Sequence, residues 1–338
     1  METVRVAEGQ HPIIKWAKTI LEEQEYKVFS WETVKNSSYS VVLRFNTTKG
    51  LVYLKHMARN YSHEPEIIKF LNAKGIQNLP NIIAANKQER AFLTTDAGQP
   101  LAKRSQQEGN NIYMTKKIFE LLAGFQQSCI PHTEALIGKG MNDWRVHKFP
   151  ELYAELLSKE QLLSSILSVN EIRALHNLHR NFILMSKRLA DLPPSPTVEH
   201  GDYHSSNILI KDENITISDF GDSIISHPFF SLRSFERHIR HTTNITSPEI
   251  KLLINSYMCK WPTYLDQYLL QEALDMAARL EPFTKILQNL RCLDSLKKEE
   301  STYLSTPSET IVIKQNLLQS IGEEIKILIN FMTEYRYQ

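Results

Sequence analysis

The sequence predicts an α+β chain of two unequal lobes, a small antiparallel-sheet lobe over residues 1–97 and a larger, mainly helical lobe over 98–338. Three observations predict it. From Tyr26 to Thr95, apolar residues fall in short β-branched and aromatic runs separated by turn residues. From Asn110 onward they recur mostly at helical spacing. One segment interrupts that helical stretch: Ile208-Leu209-Ile210 and Ile215-Thr216-Ile217 flank the polar Lys211-Asp212-Glu213-Asn214, which is the pattern of a hairpin.

Taken in order, His11 to Glu23 is an amphipathic helix, with Ile13, Ile14, Ala17, Ile20 and Leu21 on one face and Pro12 in its first turn. Strands follow at 28–31, 41–45 and 51–55. Lys35-Asn36-Ser37-Ser38-Tyr39-Ser40 is a polar, glycine-free connection between the first two. A helix begins near His63-Glu64-Pro65-Glu66 and ends before Gly75. Strands at 79–85 and 90–95 complete a sheet of about five, near the usual size. Asp96-Ala97-Gly98-Gln99-Pro100 then breaks the pattern. Helices are expected at 112–127, 152–167, 171–192, 248–260, 263–280, 282–296 and 307–335, with a polar loop over 131–150. Pro193-Pro194-Ser195-Pro196 stops the third of these, and Thr197-Val198-Glu199 is a short strand.

Composition narrows the class. The chain has 338 residues, 42% hydrophobic and 23% charged, and 39 basic against 38 acidic residues give a formal net charge of +1. It lacks the basic excess that marks a nucleic-acid or membrane-surface partner. The three cysteines, Cys129, Cys259 and Cys292, are far apart and read as reduced thiols of a cytoplasmic protein. Neither a signal-peptide layout nor a bilayer-spanning run is expected.

The chemistry concentrates around the hairpin. A turn centred between Asp212 and Glu213 pairs 210 with 215 and, further along, 207 with 218 and 206 with 219. Asn207 and Asp219 are thereby brought near each other, since cross-strand neighbours sit about 5 Å apart. Strict register puts them on opposite faces, so a bulge or strand end must turn one. Asp202 lies five residues before Asn207, in a polar loop able to fold back on the same point. Oxygen ligands in such a cluster suit magnesium, which keeps waters and substrate phosphates in its shell.

His200-Gly201-Asp202, Asn207 five residues on, and Asp219-Phe220-Gly221 at a strand end together resemble the aminoglycoside phosphotransferase and choline kinase-like family, small-molecule kinases of protein-kinase-like fold. The resemblance implies that Asp202 is the base for the acceptor hydroxyl and that Asn207 and Asp219 hold magnesium. It implies that Lys55, otherwise an ordinary strand-edge lysine, grips the ATP phosphates with Glu64 as its partner and Glu66 as the alternative. Ser37 and Ser38 would cover the phosphates, unless 35–40 is a plain hairpin loop. Backbone groups of Thr94, Thr95 and Asp96 would meet the adenine. The activity implied is transfer of the γ-phosphoryl group of ATP to a hydroxyl of a small molecule.

Other classes are weighed against it. A catalytically silent nucleotide-binding relative would lack one of Lys55, Asp202, Asn207 and Asp219, and all four are present. A protein kinase would need an activation segment ending in Ala-Pro-Glu. A zinc hydrolase would need a glutamate beside the first histidine on a helix, where Gly201 and Asp202 stand. His176 and His179, at i and i+3, have no companion ligands and are read as ordinary histidines. The acceptor stays open: Glu236, Glu272, Asp275 and Glu281 would suit a polycationic aminoglycoside, but Arg233, Arg237, Arg240 and Arg279 are interleaved with them. Choline-like and sugar-like acceptors are equally allowed.

Overall fold

The computed structural model describes residues 12–37, 39–298 and 307–333. Its five-stranded antiparallel sheet comprises β1 (Val28–Asn36), β2 (Ser40–Thr47), β3 (Gly50–Met57), β4 (Ile82–Asn86) and β5 (Ala91–Thr95), in the order β1-β2-β3-β5-β4. The period of two along each strand gives the sheet two faces. Leu43, Phe45, Val52, Leu54, Ala91 and Leu93 point one way, onto Ile13, Ile14, Ala17 and Leu21 of the helix Pro12–Glu23, and form a core of their own. The alternate residues, among them Val42, Arg44, Tyr53, Lys55 and Phe92, point the other way and roof a cleft.

A second and much larger core runs through the helical region. Ile67, Ile68 and Leu71 of the helix Glu64–Ala73 belong to this second core, not to that of the sheet. Short strands carry the cleft floor: β6 (Gln99–Pro100), β7 (Asn142–Asp143), β8 (Thr197–Glu199), β9 (Ile208–Lys211), β10 (Asn214–Ile217) and β11 (Ile224–Ser226). β9 and β10 pair in the expected register, Ile210 opposite Ile215 and Ile217 opposite Ile208, and β6 adds to the free edge of β9. β8 pairs with β11, which also takes β7 in parallel from the stretch expected to be a loop.

Several boundaries differ from expectation. β1 continues to Asn36, so the connection to β2 is only three residues. The helices expected at 152–167 and 171–192 are each broken in two, at Ser158–Lys159 and at Leu178. The two expected on either side of Pro282 are one helix, Gln267–Lys298. Leu280, Phe283, Ile286 and Leu287 are buried around the proline, and this packing offsets an interior-proline cost of roughly 3 kcal/mol. The helix Phe229–Thr242 went unread because its apolar face, Phe229, Phe230, Leu232, Phe235 and Ile239, is crossed by four charged residues. Among the described residues no helix is long and apolar enough to cross a membrane.

Gly98 is where the sheet lobe meets the hairpin. Its φ is +97° and a Cβ there would lie 2.1 Å from the carbonyl oxygen of Ile210. Both the left-handed backbone and the close approach require glycine. Gly98→Ala should therefore lower unfolding free energy by about 3 kcal/mol or more, read as a fall in the urea midpoint. An unchanged midpoint would refute this account of the junction.

Candidate functional site

Lys55 is the centre of the site. Its Nζ lies 2.6 Å from Glu64 Oε2 and 2.6 Å from Asp219 Oδ1. Burial would pull the Lys55 pKa down, but the charges of Asp219 and Glu64 outweigh it and keep the ammonium protonated. Glu64 is 1% exposed, and that burial pushes its carboxyl up against the pull of Lys55. Its other oxygen accepts the Phe220 N–H at 3.0 Å. Glu66 faces outward and pairs with Lys69 instead. Of the two glutamates the sequence left open, the geometry therefore selects Glu64.

Asp219 ends the hairpin strand with φ +68° and ψ +63°. Just before it the 207–218 pairing still holds, since the Ser218 N–H donates to the Asn207 carbonyl at 2.8 Å. The left-handed residue is thus the strand-end turn that strict register demanded, and it lets Asn207 and Asp219 line the same cleft. Burial would raise the Asp219 pKa; Lys55 and Lys35 reverse the sign and hold it below the usual carboxylate range. Lys35 Nζ is 3.5 Å from Asp219 Oδ2.

The loop before β9 is tied down from every side. His200 is 1% exposed, and burial lowers its pKa to about 4. Its Nδ1 accepts the Asp202 N–H at 3.3 Å, which leaves Nε2 as the donor to the Ser218 carbonyl at 3.0 Å. Gly201 has φ +82°, and a Cβ there would come within 2.3 Å of the Asp222 carbonyl oxygen. His204 is fixed likewise: Nδ1 accepts the Ser206 N–H at 3.1 Å, so in the neutral ring the proton sits on Nε2, 3.1 Å from Asp202 Oδ2. Asn207 Nδ2 donates to the Asp202 carbonyl at 2.9 Å and to Oδ2 at 3.1 Å. Burial would raise the Asp202 carboxyl, but the hydrogen bond from His204 and the charge of Lys285 hold it well below the ordinary range.

A cleft of about 570 Å³ lies between sheet and hairpin; His204 and Asn207 of this loop line it, while Asp202 is held just behind them through its bonds to both. Lys35, Lys55, Thr94, Thr95, Asn207 and Asp219 line it. Asp96 is drawn into the connection, where Oδ1 accepts the Gly98 N–H at 3.1 Å and Oδ2 meets Lys211 at 3.1 Å. The Thr95 N–H is taken by the Asn81 carbonyl at 3.1 Å. The Ser37 hydroxyl closes its own hairpin, donating to the Ser40 carbonyl at 3.0 Å and accepting the Ser40 N–H at 3.1 Å. Ser38 lies outside the described residues. Among the described residues no group of three or more His, Cys, Asp and Glu is arranged to hold a metal. The oxygens of Asn207 and Asp219 are the hard donors that a two-ligand magnesium site uses.

Sequence reasoning missed Lys35, Lys103, Ala97 and Gly98 as cleft-lining residues, and His204 as a donor to Asp202. A signal for Lys35 existed in the strand register: Val42 is the cross-strand partner of both Lys35 and Lys55, which puts the two lysines on one face of the sheet.

The family model of the phosphotransferase enzyme family matches residues 29–235, and the chain belongs to that family. Solved structures of similar fold include the following three. Spectinomycin phosphotransferase in complex with ADP and spectinomycin is 10% identical over 91% of this chain and 98% of that one, with a TM-score of 0.54. Aminoglycoside 2'-phosphotransferase-IIIa in its GDP complex is 13% identical over 94% and 99%, with a TM-score of 0.59. Ethanolamine kinase of Plasmodium vivax is 12% identical over 96% and 94%, with a TM-score of 0.60. At such identities the likeness establishes the protein-kinase-like fold and nothing finer. No curated protein sequence matches the chain.

Glu199, at the end of β8, supplies a test of this electrostatic layout. It is 2% exposed, and burial pushes its carboxyl up to about 7 although Ser231 Oγ donates to Oε1 at 2.7 Å. The folded state keeps this proton at pH values where the unfolded chain has lost it. Ionising Glu199 therefore costs stability increasingly from about pH 4.5 up to about 7. Glu199→Gln should match the parent's urea midpoint at pH 4.5 and exceed it at pH 8. A gain of equal size at both pH values would contradict the assignment.

Proposed function

We propose that the protein is an ATP-dependent small-molecule kinase that moves the γ-phosphoryl group of ATP to a hydroxyl of its acceptor. The observation that carries the reading is the set of ion pairs from Lys55 to Glu64 and Asp219 at one side of the cleft, with Asn207 on its lining bonded to Asp202 in the loop behind it. Lys55 has the charge and position to meet the nucleotide phosphates, with Lys35 beside it. Thr94 and Thr95, which line the cleft, would meet the base. Use of ATP is part of the proposal.

Asn207 and Asp219 would hold magnesium. Its chemistry there is to neutralise charge on the phosphate oxygens. Asn207 commits its amide N–H groups to Asp202, which leaves its oxygen for the cation. In the transfer, the acceptor oxygen forms the new bond to the γ-phosphorus as the bond from the bridging oxygen to that phosphorus breaks. The electron pair leaves with ADP and the acceptor proton passes to Asp202. His204 and Asn207 both donate to Asp202 Oδ2, so Oδ1 is the oxygen left to take the acceptor proton. A carboxylate kept ionised by its donors is a weak base, and its main contribution is orientation, with the proton moving late. The placement in a cytoplasm belongs to the same proposal. Cys129 and Cys292 are buried thiols and Cys259 an exposed one, none of them in a disulfide.

The experiment is ADP release from magnesium-ATP against a panel of hydroxyl compounds, with Asp202→Ala alongside. Turnover should appear with one acceptor class and fall 10²- to 10⁴-fold in the variant, the usual contribution of a positioned base. Binding of magnesium-ATP with no turnover for any acceptor would move the silent nucleotide-binding reading to the front.

A further inference from the structure

Three of the four carboxylates that a polycationic acceptor would need are already matched. Glu236 sits between Arg233 Nη1 at 2.5 Å and Arg240 Nη2 at 2.8 Å. Glu272 takes both oxygens to Arg188, at 2.7 and 2.6 Å. Glu281 is buried against Arg237 at 3.2 Å, and Asp275 accepts from Gln271 at 3.0 Å with Arg233 3.8 Å away. At Glu236, Glu272 and Glu281 an ammonium group could bind only by displacing a guanidinium and leaving a charge uncompensated, whereas Asp275 is exposed and only loosely paired.

The cations beside Asp202 are differently placed. Lys285, on the helix Gln267–Lys298, donates from Nζ to the Gly201 carbonyl at 2.8 Å. Its other two ammonium donors have no partner among the described residues. Its charge reaches the Asp202, Glu199 and Asp222 carboxyls. Further along the same helix, Arg291 lies over the Tyr61 ring at 4.8 Å and donates from Nη2 to the Asn60 and Gly221 carbonyls at 2.6 and 2.9 Å. Its side chain is 10% exposed, and Nη1 is buried without a hydrogen bond among the described residues, 3.9 Å from Asp222 Oδ1. Asp222 is the carboxylate that answers Arg291, so the unengaged donors next to Asp202 are those of Lys285.

We propose that the acceptor is a small hydroxyl compound bearing an anionic group, a carboxylate or a phosphate, which Lys285 receives while the hydroxyl meets Asp202. Arg291 adds to the positive potential from behind. A polyamine would bring like charge to Lys285, and a neutral polyol forgoes the charged contact. This rests on the phosphotransfer reading and specifies its substrate class.

The test compares kcat/KM, from ADP release with magnesium-ATP, for glycerate against glycerol and for ribose 5-phosphate against ribose, with kanamycin as the polyamine. At least one anionic member should exceed its neutral counterpart tenfold or more, and which pair responds distinguishes carboxylate from phosphate. Lys285→Gln should erase that ratio through KM, and Lys285→Arg should restore it, which a merely structural lysine would not do. Preference for kanamycin, an anionic-to-neutral ratio near one, or a ratio that survives Lys285→Gln would each overturn the inference. Slow hydrolysis of ATP to water that no anion stimulates or inhibits would overturn it while leaving the phosphotransfer reading standing. Absence of any phosphoryl transfer, to water included, would overturn both.

Discussion

Lys55 touches Glu64 and Asp219 at the same 2.6 Å, and the three residues come from a sheet strand, a helix and the end of a distant hairpin. A buried charge is tolerable only when paired, and breaking one partner of such a set is costly. The set also spans two cores, since the strand side of β3 packs with the helix Pro12–Glu23 while the helix Glu64–Ala73 packs with the C-terminal region. Electrostatics thus reinforces a junction to which the sheet contributes only a few core residues, Met57 and Phe92 among them. Glu64 extends the link by accepting the Phe220 N–H, so the residue after Asp219 is held by the same carboxylate that holds Lys55.

The opposite wall of the cleft depends on a neutral residue. His200 accepts from the Asp202 N–H and donates to the Ser218 carbonyl, and both bonds require an uncharged ring of one tautomer. Its surroundings, with the Phe220 ring 5.0 Å away and the Tyr203 ring 5.6 Å away, exclude the water that would favour the imidazolium. One buried imidazole therefore joins the loop carrying Asp202 to the strand carrying Asp219. His238 does similar work outside it, receiving the Ser205 hydroxyl at 2.8 Å from the helix Phe229–Thr242.

What was legible in the sequence was what local pattern determines. Alternation revealed the sheet, and a four-residue polar turn between β-branched runs gave the hairpin its register, which is why Asn207 and Asp219 could be related across more than ten residues. The fold class follows from those patterns and accords with the family. Features set by tertiary packing were not legible. Pro282 is accommodated inside a helix because the surrounding core is apolar on both sides of it. β7 exists only because β11 offers it an edge. The phosphate-covering role expected of 35–40 assumed a loop, yet β1 runs on into that segment and Ser37 spends its hydroxyl on the hairpin itself. Lys35 instead reaches Asp219 from the strand.

The roles of neighbouring carboxyl groups separate by environment more than by identity. Glu199 and Asp202 are three residues apart, and burial alone would raise both. Asp202 receives hydrogen bonds from His204 and Asn207 and feels Lys285, so it stays ionised; its side chain is 45% exposed and open to a ligand. Glu199 also feels Lys285 and accepts from Ser231, but it is sealed beneath the loop with Glu281 nearby, and burial outweighs both. Carboxyls whose environments push their pKa values apart are suited to different tasks. Only one of this pair has both the charge to accept a hydrogen bond from an acceptor hydroxyl and the access to receive it. That asymmetry is an argument for Asp202 that owes nothing to motif spacing, and it makes Glu199 a structural carboxyl whose protonation the fold itself prefers.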